Sequence, residues 1–367
     1  MKIIFGMTHS EAGGLVEIWN DVATGLGERG HDTGCFALYA KTDNSPSPPL
    51  WHHIASERPS SLFAAVRLVR RLMAYLKAER PDMVVTAMPL ANVLLPLAAT
   101  LAGVRTRLVI SHHSPVETHS KWLDRLDGLT GRLDVVTSIV SVSKAVDASL
   151  QAKPAGYRRK CLVIGNALPR HIEVMIEGLR AKDIDTRIIG PVIALGRLSY
   201  QKNYPLLIAA MAHAPKVRLE IVGAGEDEAA LRGLAADLNV KDQVAFLGHM
   251  PRAQALARAA RAAIFVQVSH YEGHSLALIE AARLGLPLIV SDVAVQVEGV
   301  TARDGTLCGQ VVPLDDPQRL GAIMVELLQS PDQYAHWAQR ARRLGLEASN
   351  AIMVDRYERL MGAGAAC

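Results

Sequence analysis

The sequence predicts an α/β protein of two doubly wound, Rossmann-like domains in tandem. Three observations predict it. Short apolar runs alternate with longer amphipathic segments, as the strands of a parallel sheet alternate with the helices covering both its faces. The alternation stops across a charged, weakly periodic stretch at 168–190, with Pro169 and Pro191 at its ends, and then begins again. The length of 367 residues fits two domains at roughly 100–200 residues each.

Lys2–Met7 reads as the first strand and Leu15–Glu28 as the first helix, stopped near Gly30. Strand-like runs follow at Thr33–Leu38, Met83–Thr86, Arg107–Ser111, Ser138–Val142 and Cys161–Ile164. The Pro- and Ser-rich segment at 44–49 reads as a surface loop, being too short and too early to divide domains. Leu62–Arg80 reads as a helix with Leu62, Phe63, Val66, Val69, Met73 and Leu76 largely on one face. The apolar run Met88–Leu101 contains Pro89, Asn92 and Pro96 and reads as a buried loop and helix. The stretch at 168–190 is taken as the link, giving a first domain at 1–185 and a second at 186–349. Strands of the second are expected at Val192–Gly196, Arg218–Val222, Gln243–Leu247, Ala263–Val268 and Pro287–Ser291. Ile352–Met361 reads as a last helix. Open α/β sheets bind ligands beyond the carboxyl ends of their strands, so two such domains face to face would enclose a cleft.

Composition excludes several classes. Half the residues are hydrophobic and 21% are charged, as in a globular protein. A net charge of +4 is mild, and with no recognisable motif it argues against a nucleic-acid partner. Cys35, Cys161, Cys308 and Cys367 form no CxxC pair or metal spacing and read as free thiols in a reducing compartment. MKIIFGM is too short for a signal segment, and no run approaches the roughly 20 apolar residues of a span. The expected location is cytoplasmic.

Four junctions between strand and helix carry chemistry. Gly13-Gly14 would let backbone approach a ligand before a helix N-terminus, or form a plain tight turn. Arg197 and Lys202, after Gly196, could neutralise a diphosphate, or be solvated surface cations. Gly223-Ala224-Gly225 lacks the third glycine of a dinucleotide fingerprint and reads first as a compact turn. The run from Ser269 to Ala281 is the most specific. It sets Glu272 at a strand end, a helix opening near Ser275, and Glu280 inside that helix. Carboxylates accept from sugar hydroxyls, and the amides of a helix N-terminus suit phosphate oxygens.

Glu272–Glu280 resembles the E-x7-E motif of retaining GT-B glycosyltransferases, family 4 in particular. The segments GRLSYQKNYPLLIAA, LEIVGAGEDEAAL, VAFLGHM, EGHSLALIEAARLGLPLIVSD and GQVVPLDDPQRL are similar to that family in order and spacing, over nearly all of 190–330. The N-terminal half is similar through Gly13-Gly14, SHHSP, VSVSKAV and VIGNALP. The resemblance implies that Arg197 and Lys202 bind the donor diphosphate, Glu272 the donor sugar and Glu280 the ribose. It implies phosphate-capping amides at Gly273, His274, Ser275 and Leu276. Gly13 and Gly14 would lie near phosphate and acceptor, and the loop Gly248-His249-Met250 near the base. A functional histidine is implied at His113, with His112 as the one-residue alternative. His274 stands where relatives often have an aromatic or small residue, which leaves sugar specificity open. Asn166-Ala167 departs from the family's usual Asn-Gly.

The implied reaction transfers a hexose or N-acetylhexosamine, with retention, from a nucleotide-sugar, UDP being the family's usual base and GDP the alternative. The acceptor would be a lipid-linked glycan of a cell surface. The chemistry calls for no metal and no further cofactor, since cations and amides can meet the charge that grows on the leaving diphosphate. The acidic pair Asp183 and Asp185 falls in the proposed link and reads as a solvated turn. The family's last helix crosses back to the first domain, which assigns about 350–367 to it. The basic helix at 62–80 packs on the sheet with a solvated basic face, or else lies on an anionic membrane at its inner face. Two other readings are a sugar-nucleotide 2-epimerase of the same fold and a non-catalytic sugar-nucleotide-binding subunit of a glycan assembly complex.

Overall fold

The structure, a computed structural model, describes residues 1–10, 14–40, 51–180 and 187–362. It divides into two compact units, each with its own parallel sheet. The first runs β1 (Lys2–His9), α1 (Gly14–Glu28), β2 (Asp32–Tyr39), β3 (Trp51–Ala55), α2 (Leu62–Glu79), β4 (Met83–Ala87), α3 (Pro89–Ala102), β5 (Arg107–His112), α4 (Lys121–Thr130), β6 (Val136–Ser141), α5 (Lys144–Ser149), α6 (Ala155–Arg158) and β7 (Cys161–Val163). Its seven strands lie in the order β3-β2-β1-β4-β5-β6-β7, and the order reverses between β1 and β4. Every residue of β4 is buried, which is why its sequence shows no polar alternation; its one polar residue, Thr86, donates to Asn92 Oδ1.

The second unit runs α7 (Arg170–Arg180), β8 (Val192–Leu195), α8 (Tyr204–Met211), β9 (Leu219–Val222), α9 (Glu228–Asp237), β10 (Val244–Phe246), α10 (Arg252–Ala259), β11 (Ile264–Gln267), α11 (Leu276–Leu284), β12 (Leu288–Ser291), α12 (Ala294–Gly299), β13 (Gln310–Val312), α13 (Pro317–Gln329) and α14 (Pro331–Glu347). Its order, β10-β9-β8-β11-β12-β13, reverses between β8 and β11. The last helix, α15 (Asn350–Gly362), belongs to the first unit. It buries Met353, Val354, Tyr357 and Met361, and Tyr357 meets Trp19 edge-on at 5.8 Å.

The stretch at 168–190 is not a bare link. The chain changes unit after Pro169, and Arg170–Arg180 forms a helix of the second unit. Ile172 and Ile176 of α7 are buried, and Glu173 pairs with Arg283 of α11. Two apolar anchors a helical turn apart were too few to stand out among the charges. Asp183 and Asp185, the loop at 44–49, Gly13 and Cys367 lie outside the described residues. β3 and β13 are additional edge strands.

Helix α2 keeps part of its expected face: Leu76 is buried and Val69 and Met73 pack against the core, but Leu68 and Leu72 complete the buried stripe, while Phe63 is 71% and Val66 48% exposed. Among the described residues no helix is long and apolar enough to cross a membrane.

Candidate functional site

In the second unit the switch between β8 and β11 places two loops side by side, at 196–203 and 268–275. The first turns at Gly196, at φ 148°. A Cβ there would stand 2.8 Å from Lys202 Cε, so the missing side chain is the space in which Lys202 lies. Gly223 and Gly225 answer a packing need too. Cβ atoms on them would fall 1.9 Å from the Gly196 carbonyl oxygen and 2.1 Å from that of Leu198. The glycine pair thus lets the loop after β9 press on the loop after β8, as a compact turn.

Lys202 Nζ donates to Glu272 Oε1 at 2.7 Å, and Ser269 Oγ donates to the same oxygen at 2.8 Å. The two side chains keep only 14% and 9% of their exposure. A cation–carboxylate pair this secluded persists only where further hydrogen bonds complete it, and Ser269 supplies one. The backbone holds the loops in register: His270 N donates to Gln201 O at 2.8 Å, and Gln201 Nε2 donates to Tyr271 O at 3.2 Å. The rings of Tyr200 and His270 stack with centroids 4.5 Å apart. Arg197 does not join this pair. It is 68% exposed and its Nε donates to the equally open Glu226 at 3.1 Å.

Ser275 caps α11. Its Oγ accepts from Leu278 N at 3.3 Å and donates to Gln267 Oε1 at 2.8 Å. The Leu276 and Ala277 amides, ahead of Leu278 in the first turn, have no intrahelical acceptor, which makes this end attractive to an anion. Gly273 is buried, and His274 and Leu276 are half-buried. Burial holds the His274 imidazole down at about 4, so it is neutral at physiological pH. Glu280, just over one turn into α11, is 7% exposed. Desolvation raises its carboxyl above the usual range, and the neighbouring Arg252 opposes that rise. Arg252 Nε donates to Glu280 Oε1 at 2.7 Å. Met250 is half-buried in the loop that leads from β10 to Arg252.

In the first unit Gly14 is exposed at the start of α1. His112 and His113 part company. His112 is 2% exposed and its Nε2 lies 2.7 Å from Tyr157 Oη, which donates to Asp127 Oδ2 at 2.7 Å. The tyrosine has one proton and gives it to Asp127, so His112 Nε2 is the donor to Tyr157. Lys153 Nζ closes the network at 2.9 Å from Asp127. His113 is half-buried, 2.9 Å from Ser111 Oγ through Nε2, with its ring edge-on to Trp19 at 5.3 Å. Burial first, then the neighbouring His112, pushes its imidazole down to about 3. Among the described residues no group of three His, Cys, Asp or Glu side chains clusters as metal ligands would.

Sequence reasoning gave no role to Arg252, Ser269 or Gln201. Arg252 and Gln201 act through partners distant in the chain, which neither spacing nor periodicity marks, while Ser269 acts through Glu272 three residues on.

Two family models match this chain in tandem: Glycosyltransferase Family 4 over residues 12–171 and Glycosyl transferases group 1 over residues 191–344. The chain belongs to the group 1, family 4 glycosyltransferases. The enzyme is 25% identical to the amylovoran biosynthesis glycosyltransferase AmsD of Erwinia amylovora, over 96% of its own length and 97% of that protein. It is 25% identical to the lipopolysaccharide core biosynthesis glycosyltransferase LpsE of Rhizobium meliloti, over 78% and 77% of the two chains. The crystal structure of Anabaena HepE with UDP and glucose superposes with a TM-score of 0.80 at 18% identity, over 99% of this glycosyltransferase and 100% of HepE. The two-unit architecture of the glycosyltransferase is therefore the GT-B fold.

Proposed function

We propose that this glycosyltransferase takes a UDP-sugar and transfers a hexose or N-acetylhexosamine, with retention, to a lipid-linked glycan during cell-surface polysaccharide synthesis. The observation that carries the reading is the secluded Lys202–Glu272 pair at the switch point of the second sheet, with the N-terminus of α11 beside it and Glu280 further along that helix. The names of AmsD and LpsE support polysaccharide and lipopolysaccharide synthesis as its setting. The UDP and UDP-glucose bound in HepE support the donor.

In this reading Lys202 is pre-positioned by Glu272, so its charge meets the departing diphosphate without reorganisation. Arg197 exchanges its exposed, weakly held partner Glu226 for a phosphate oxygen. The amides of Gly273, His274 and Ser275, in the loop before α11, and of Leu276 at its start take the remaining oxygens, and no metal is required. Glu272 accepts from a sugar hydroxyl and Glu280 from the ribose, with Met250 near the base. The reading extends to the first unit through Gly14 and neutral His113, the residues proposed for its acceptor side. The acceptor side works at the inner face of the cytoplasmic membrane. Support for that comes from α2, which leaves Phe63 and Val66 exposed beside Arg67, Arg70 and Arg71.

The test is calorimetry with UDP, GDP and ADP and their sugars, on wild type and Glu280→Ala. UDP is expected to bind and stabilise the wild type, and to lose affinity in the variant. Selective binding of GDP would correct the base. Binding of none of them would remove the donor-site reading.

A further inference from the structure

Glu280 is presented by a second residue. Arg252 stands in the first turn of α10, directly after the Met250-Pro251 end of its loop, and reaches across to α11. Its Nε and Nη2 lie 2.7 Å and 2.5 Å from a single carboxylate oxygen, Oε1 of Glu280. Oε2 has no hydrogen-bond partner among the described residues. Both side chains are largely withdrawn from water, at 21% and 9% exposure. Nε donates to Oε1 and Nη2 adds its charge at the same oxygen, which anchors one side of the carboxylate and leaves the second oxygen to accept.

We propose that Arg252 is a positioning residue for nucleotide binding, holding Glu280 as an oriented carboxylate whose Oε2 accepts from the ribose hydroxyls of the donor. The inference rests on the donor-site reading of Glu280 above and adds to it the residue that makes Glu280 competent. A vicinal diol offers two donors and needs an ionised acceptor in a fixed plane. An unpaired carboxyl in this seclusion tends instead to take up a proton.

The charged surroundings assign that task to Arg252. On α7, Glu173 is engaged with Arg283. On α10, Arg258 is turned to Glu220. On α14, Arg343 pairs with Asp304. The strands β11 and β12 bring no titratable group. Burial and Arg252 are the two influences acting on Glu280, and they oppose each other.

The experiment is titration of the full-length protein with UDP and with 2′,3′-dideoxy-UDP between pH 6 and 8.5. The proteins are wild type, Arg252→Ala, Arg252→Lys and Glu280→Ala, each first checked for a native circular dichroism spectrum and melting curve. Arg252→Ala is expected to weaken UDP binding about tenfold at neutral pH, the scale of losing hydrogen bonds to a charged group. Its affinity should fall further as pH drops, because Glu280 without its cation protonates more readily, whereas wild type stays flat. Arg252→Lys should restore the flat profile while remaining weaker than wild type. Wild type and Arg252→Ala should bind the dideoxy nucleotide alike.

Wild-type affinity for UDP in Arg252→Ala would overturn the proposal. So would a pH-independent loss that persists with the dideoxy nucleotide, since Arg252 would then touch base or phosphate directly. If Glu280→Ala binds UDP as wild type does, the donor-site reading itself falls and this inference with it. That outcome is distinct from one in which Glu280 matters and Arg252 does not.

Discussion

At the scale of single residues, the two cations of the donor segment do different work although they look equivalent in sequence. Lys202 is threaded through the space left by Gly196 and locked to Glu272, whereas Arg197 stands in solvent. Removing one member of a secluded pair leaves the other uncompensated, at a cost of about 3–5 kcal/mol. An exposed pair contributes at most about 1 kcal/mol. Glu272→Ala is therefore expected to lower the melting temperature clearly, and Arg197→Ala to leave it nearly unchanged. Under the proposed donor role, Arg197→Ala should still reduce kcat by roughly a hundredfold, the scale seen when one group facing developing charge is removed. Thermal melts and initial rates on the two variants check this. Equal melting losses would mean that the Lys202–Glu272 pair is not the structural element described.

At the scale of elements, the central strands were legible because burial on both faces leaves apolar runs without alternation, unbroken in β8 and interrupted only by Thr86 in β4. The loop-to-helix run from Ser269 to Glu280 was legible because a strand end, an N-cap serine and two carboxylates leave a local pattern. Edge strands β3 and β13 were not: β3 buries only Trp51 and Ile54 around two histidines, and β13 only Val312, which leaves little apolar pattern. The expected face of α2 held at Val69, Met73 and Leu76 but not at Phe63 and Val66, because the core takes Leu68 and Leu72 instead. Several stripes of that helix are apolar, and only packing decides among them. The network joining β5, α4 and α6 through His112, Tyr157 and Asp127 was likewise invisible, because its members are brought together by the fold. It has a pH signature. Burial, the largest influence, holds His112 at about 4, against about 6.5 in an unfolded chain. The unfolded state therefore binds more protons between these values. The stability from keeping His112 neutral is complete above about 6.5 and drains away as pH falls toward 4. Going from pH 7 to pH 5 should cost about 2 kcal/mol from this residue. Urea unfolding at the two pH values, with His112→Gln as control, measures it. A pH-independent difference between the two proteins would remove His112 as the cause.

At the scale of the whole molecule, two units that each have a sheet and a core are tied to chain order in an unequal way. The second is continuous, while the first is completed only by α15, the last helix of the chain. That helix covers Trp19 with Tyr357 and supplies Asp355 and Glu358 to Arg29. It also accepts from Arg107 through the Met361 carbonyl at 2.7 Å. Fully burying a large apolar side chain stabilises by about 1.5–3 kcal/mol, and α15 buries Met353, Val354, Tyr357 and Met361. Together these rival the roughly 5–15 kcal/mol that holds a typical domain folded. A chain ending at Ser349 is therefore expected to keep the second unit folded and to lose the first. Limited proteolysis followed by mass spectrometry should then leave a resistant core within Arg170–Ser349, while full-length protein resists in both units. Under the proposed donor role the truncated protein should still bind UDP and should transfer no sugar, since one unit holds the donor groups and the other the acceptor side. If the truncated chain melts and resists protease as the full chain does, α15 is an appendage rather than the closing element of the first unit.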